Sequence, residues 1–169
     1  MKRILAALAG LLLASAAPAR ADITIGAVLS LTGPAASLGI PMRNVIEMLP
    51  RQIDGQSIRY VVLDDGTDSS AAVRAFQKLV TEEKADIVIG PSVTPPSLAV
   101  LDVAGSSGTP MISLAGSNAI VVPQQGNRRW AFKLAPPESL MLAGPMQYLK
   151  EHGGKTLVTI AQATAFGDA

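Results

Sequence analysis

The chain has 169 residues, with 14 Lys+Arg against 13 Asp+Glu, one histidine and no cysteine. A near-neutral balance without basic clusters offers no footprint for nucleic acid or another polyanion. The missing cysteines exclude thiolate zinc sites and cysteine nucleophiles.

The N-terminus reads as an export signal. Met1-Lys2-Arg3 is a short basic stretch, Ile4 to Ala17 is apolar, and Ala19-Arg20-Ala21 has the small-x-small form of a cleavage site. About 14 apolar residues fall short of the roughly 20 that span a bilayer. No cysteine follows to carry a lipid. The expectation is a soluble, periplasmic product beginning near Asp22. Removing residues 1–21 takes away Lys2, Arg3 and Arg20, leaving 11 basic against 13 acidic residues, a net charge of −2. The basic bias thus belongs to the signal.

The body of the chain alternates two kinds of pattern. Apolar, β-branched runs at Ile23–Leu29, Ile58–Leu63, Asp86–Gly90 and Met111–Leu114 predict strands. Between them lie three predicted helices. One runs from Leu38 to Ile53. A second covers Ala71 to Lys84, with Val73, Phe76, Leu79 and Val80 on one stripe and Ser69 or Ser70 as cap. The third covers Pro96 to Ser106. This rhythm predicts βαβ units around a parallel sheet, and near-continuous apolar strands fit a sheet covered on both faces. After Ile120 the rhythm changes. Pro123 to Asn127 is a polar loop, Trp130 to Leu134 an extended segment, and Pro136-Pro137 precede a helix from Glu138 to His152, closed by Gly153-Gly154. Leu157–Ala161 predicts one more strand. The domain reading is a signal peptide over 1–21, a ligand-binding lobe over 22–127, an inter-lobe hinge crossing over 128–137, and the incomplete start of a second α/β lobe over 138–169.

Ligands of open parallel sheets sit beyond the carboxyl ends of the strands. Three such ends carry small and hydroxyl-bearing loops: Ser30-Leu31-Thr32-Gly33-Pro34, Gly90-Pro91-Ser92-Val93-Thr94-Pro95 and Ser113-Leu114-Ala115-Gly116-Ser117-Asn118. Their backbone N–H groups and hydroxyls suit a carboxylate. Any one of them alone is an ordinary strand-to-helix turn, but three on one edge favour a small-ligand cleft. Other constellations carry less. Gly154-Lys155-Thr156 lacks the upstream glycine of a phosphate loop, since position 149 is Leu. Asp64-Asp65 without a third ligand reads as an acidic turn before a cation site. His152 reads as a helix cap, and Trp130 and Phe132 as core or lobe-junction packing. No cofactor or metal is called for.

In order and spacing these pieces resemble the periplasmic branched-chain amino acid binding proteins, the type I receptors of ABC importers. The residues that carry the resemblance are Ile25-Gly26-Ala27 leading to Leu31-Thr32-Gly33-Pro34, then Leu63-Asp64-Asp65 before a Ser/Ala-rich helix start. Ile89-Gly90-Pro91, Pro110-Met111-Ile112-Ser113, Trp130-Ala131-Phe132 and Phe166-Gly167 complete the set. The resemblance implies two Rossmann-like lobes closing on a ligand, no catalysis, an ABC permease complex at the inner membrane as partner, and a monomer. It also implies that the sequence holds the N-terminal half of such a receptor. It implies further that the Thr94 hydroxyl and N–H hold a ligand carboxylate, and that Ala115, Gly116 and Ser117 supply a carbonyl and a hydroxyl for ammonium and carboxylate. Phe166 stands where the family has a tyrosine, and Leu38 where it often has an aromatic, so the apolar wall remains while a hydroxyl and a ring are lost. The expected function is capture of a small carboxylate-bearing solute, a branched-chain amino acid or a related amide or organic acid. A ligand-sensing regulator of the same fold and a secreted α/β enzyme are the alternatives.

Overall fold

The computed structural model describes residues 23–168, so the expected export signal over 1–21 lies outside the described residues. Six strands form one sheet in the order β2-β3-β1-β4-β5-β6. They are β1 (Ile23–Leu29), β2 (Gln52–Ile53), β3 (Gln56–Asp64), β4 (Ile87–Ile89), β5 (Met111–Ser113) and β6 (Ala131–Lys133). All neighbours pair in parallel except β2, which folds back on β3 as a hairpin. The parallel sheet expected from the alternating pattern is therefore present, with β1 central.

The helices cover the two faces unequally. Helix α2 (Ser69–Thr81), α3 (Thr94–Ala99) and α4 (Leu101–Ser107) lie on one face. There Phe76, Leu79, Val100 and Ala104 pack with Val28, Val88, Met111 and Ala131 into the main core. The opposite face carries α1 (Ala36–Met48), whose Ile46 meets Ala27 and Leu29 in a smaller cluster. Burying one Phe or Leu side chain contributes about 1.5–3 kcal/mol, so the larger cluster dominates the hydrophobic stabilisation.

Several local expectations are corrected. The helix expected from Leu38 to Ile53 stops at Met48, and Leu49-Pro50 leads into β2. The reversal is an Asp54-Gly55 turn with φ of 50° and 76°, the geometry of a tight hairpin. That dipeptide is the signal that the helical reading overran. The cap of α2 is Asp68, whose side chain accepts from the Ala71 N–H at 2.7 Å, and not Ser69 or Ser70. The single helix expected over Pro96–Ser106 is two helices meeting at Val100. The first begins at Thr94, because prolines are tolerated in a first turn where N–H groups have no intrahelical acceptor. Gly90 has φ 101°, and a side chain there would collide with the Val28 carbonyl, so only glycine lets the β4 loop cross the end of β1.

Beyond β6, helix α5 (Glu138–Glu151) has no buried residue. His152 caps it as expected, with Nδ1 2.9 Å from the Tyr148 carbonyl and Gly153 left-handed behind it. Leu157–Ala161 is not a strand, contrary to its pattern. Phe132 is not core either: it is 47% exposed on β6.

Candidate functional site

Parallel strands deliver all their following loops to one edge. The loop after β1 is tied to the loop after β3 through two adjacent aspartates. Asp64 accepts from the Leu31, Thr32 and Gly66 N–H groups at 2.8, 3.2 and 2.8 Å and from the Thr32 hydroxyl at 2.6 Å. Burial is the largest single effect and raises its pKa, but these four hydrogen bonds, led by the Thr32 hydroxyl, together outweigh it. They hold the carboxyl below its ordinary 3.8. Asp65 is 1% exposed, and its Oδ1 accepts from the Ser30 hydroxyl at 2.7 Å and the Thr67 N–H at 2.8 Å. Its Oδ2 is buried without a partner. The Ser30 N–H donates to the Ser92 hydroxyl at 3.1 Å, which extends the network to the β4 loop. The acidic pair thus works as a set of loop ties, the turn reading of the sequence. Among the described residues no group of three or more His, Asp or Glu side chains is arranged for a metal.

The loops after β4 and β5 are joined through serines. Ser97 and Ser113 share a hydroxyl–hydroxyl hydrogen bond of 2.8 Å, and the Ala115 N–H donates to Ser113 at 3.1 Å. Thr94, the first residue of α3, is 2% exposed. Ala115 is buried, Gly116 half-buried and Ser117 fully buried. The Ser117 hydroxyl accepts from the Ala119 N–H at 3.2 Å and caps a short 3-10 turn over Asn118–Ile120. Two of the expected site residues come together across 50 positions of sequence. A methyl group on Gly116 would stand 2.9 Å from the Phe166 ring, so that ring lies against this loop. Leu38 lies on a different element, half exposed on the first turn of α1.

Three features were missed in the sequence. Lys133, the last residue of β6, reaches back so that its ammonium donates to the Gly116 carbonyl, and also to that of Pro136 at 3.2 Å. Among the described residues it is the one basic residue at the carboxyl end of a parallel strand. That signal becomes readable only once Trp130–Leu134 is counted as a strand of this sheet. Glu138 turns both carboxylate oxygens to the Asn118 N–H, at 3.0 Å each, and ties the start of α5 to the same loop. The third feature is an apolar cavity of about 410 Å³ on the α1 face, lined by Met42, Val45, Leu49, Ile89, Leu114 and Leu134 among others. Its walls lack the convergent polar groups of the loop edge.

A three-layered arrangement with its donors gathered at one sheet edge matches a known group. The model of a family described as periplasmic binding protein matches residues 22–169. The chain belongs to this family. Its members are solute receptors, not enzymes, and work outside the cytoplasm. Among curated proteins, this periplasmic binding protein is 31% identical over 107 residues to the Leu/Ile/Val-binding protein BraC3 of Rhizobium johnstonii, covering 60% of this chain and 29% of that one. Among solved structures, an extracellular ligand-binding receptor from Rhodopseudomonas palustris HaA2 is 35% identical with a TM-score of 0.83. That match covers 88% of this chain and 41% of the receptor. A solute-binding protein of an ABC transporter from Rhodopseudomonas palustris BisB5, in complex with 3,4-dihydroxybenzoic acid, shares the fold at 21% identity and a TM-score of 0.76. It is covered to the same 41%, with 87% of this chain aligned. The chain therefore spans well under half the length of these relatives.

Proposed function

We propose that this chain forms the ligand-receiving first lobe of an extracytoplasmic solute-binding protein that serves an ABC importer. In this reading residues 1–21 are a cleaved signal, 22–127 form the lobe, 128–137 lead across a hinge, and 138–169 begin the opposing lobe. The ligand is a small carboxylate-bearing molecule. Thr94 and Ser117 donate to its carboxylate, Ala115 and Gly116 form the backbone floor, and Phe166 and Leu38 give apolar walls. The receptor acts as a monomer and delivers its ligand to a permease complex at the inner membrane. Closure of two lobes on the ligand is favoured by contacts that exist only in the closed state.

The observation that carries this reading is the gathering of hydroxyl and N–H donors from three loops at one sheet edge, with the aromatic ring of Phe166 against one of them. The test is calorimetric titration with L-leucine, its 2-oxo analogue 4-methyl-2-oxopentanoate, and 3,4-dihydroxybenzoate. At least one should bind, and Thr94→Ala or Ser117→Ala should weaken it by about 1.5–3 kcal/mol, the range for a hydrogen bond to a charged group. Unchanged affinity in both variants would move the site elsewhere.

A further inference from the structure

Among the described residues Lys133 is the one basic residue at the carboxyl end of a parallel strand, and Arg128 lies near the same loop with its Nε donating to the Ala119 carbonyl. Lys133 makes no ion pair within 4.0 Å; the two ion pairs among the described residues are Arg43–Glu47 and Arg59–Glu83. An ammonium has three N–H donors, and the carbonyls of Gly116 and Pro136 take two of them. One donor and the whole charge remain beside the Gly116 loop, against which Phe166 also lies. The carboxylates that tie these loops are engaged in the fold, apart from Asp65 Oδ2, which is buried without a partner. Asp64 accepts four hydrogen bonds, Asp65 is buried beneath Ser30, Asp68 caps α2, and both oxygens of Glu138 meet the Asn118 N–H. The Gly116 carbonyl on this loop already accepts from a lysine ammonium, so a ligand ammonium placed there would have to share the oxygen with a second positive charge.

From this we infer that Lys133 is a specificity-determining residue, and that the ligand is a carboxylate without an α-amino group. An amine-free acid gains a charge-assisted hydrogen bond from Lys133, whereas an α-amino acid must bring a second ammonium beside it. Aromatic and 2-oxo acids have the required chemistry, and the hydroxyl-free ring of Phe166 gives either an apolar wall.

The inference rests on the carboxylate-receptor reading, and its test separates the two. L-leucine and 4-methyl-2-oxopentanoate have the same carbon skeleton and differ only at the α-position. Titrated into the full chain, the 2-oxo acid or 3,4-dihydroxybenzoate should bind about tenfold or more tightly than L-leucine, the scale of one charge-assisted hydrogen bond. Lys133→Met, which keeps the apolar stem, should erase that preference, and Lys133→Arg should retain most of it. The wild-type ratio decides the matter even if Lys133→Met fails to fold. Tighter binding of L-leucine that is weakened by Thr94→Ala would overturn the Lys133 inference and leave the receptor reading standing. An unaltered preference in a folded Lys133→Met would do the same. Failure of all three acids to bind would overturn both.

Discussion

Two short segments near the end of the chain make an instructive pair. Ala131–Lys133 contains an alanine, a phenylalanine and a lysine, and it is a strand; Leu157–Ala161, with Leu, Val, Thr and Ile in a row, is not. Intrinsic preference ranks them the other way, since β-branched and aliphatic residues dominate the second. The difference lies in the neighbours. Met111, Ile112 and Ser113 of β5 stand in register with Ala131, Phe132 and Lys133, and the Leu134 N–H closes the ladder on the Ser113 carbonyl at 3.0 Å. Val158 and Ile160 are 79% and 96% exposed, and among the described residues no strand pairs with them. A strand is made by its partner as much as by its own residues.

The contrast between a supported region and an unsupported one predicts unequal mutational costs. Phe76 is fully buried among the helices of the main core, so Phe76→Ala should destabilise by about 3–5 kcal/mol. Leu140→Ala, on a helix with no buried residue, should stay within about 0.5 kcal/mol. Denaturant melts of the two variants measure this directly, and comparable losses would mean that α5 is as well packed as α2.

Hydrogen exchange sharpens the same comparison at the backbone. The Leu134 amide should exchange about a hundredfold or more slowly than the amides of residues 157–161, because opening free energies follow local packing and pairing. Equal protection would show that Leu157–Ala161 has found a partner strand.

The smallest effect belongs to the loop ties. The Asp64 pKa is held below its ordinary 3.8, so its contribution to stability is full above that value and fades as pH falls through the lowered pKa. The Tm of the wild type should exceed that of Asp64→Asn near neutrality, and the gap should close as the pH drops below 4. A gap that persists into strong acid would mean that the carboxylate charge is not what ties these loops.

Much of the site's surroundings was legible from particular residues. The loops after Ile23–Leu29, Asp86–Gly90 and Met111–Leu114 were placed at one edge by pattern alone, because parallel strands joined by helices must turn at the same end. That Gly116 and Phe166 belong to one site was implied by family resemblance and not by any local signal, and their contact is seen only in the structure. Lys133 escaped, since a lysine at the end of a three-residue segment looks like solvated surface until its segment is seen to pair with β5. Asp68 in place of Ser69 or Ser70, and the hairpin at Asp54-Gly55, were misread for a simpler reason. Neighbouring residues competed for one local role, and backbone geometry chose between them.

By itself, then, the amino-acid order determined the alternation of strand and helix, the apolar stripe of α2 and the sharp turns at glycine. Each of these depends on periodicity or on allowed backbone angles within a few residues. Only the tertiary structure decided that Ala131–Lys133 is a strand, that Asp65 is buried beneath Ser30, and that Lys133 fills the Gly116 carbonyl. Those outcomes depend on groups 17 to 35 positions apart meeting in space, which no local pattern encodes.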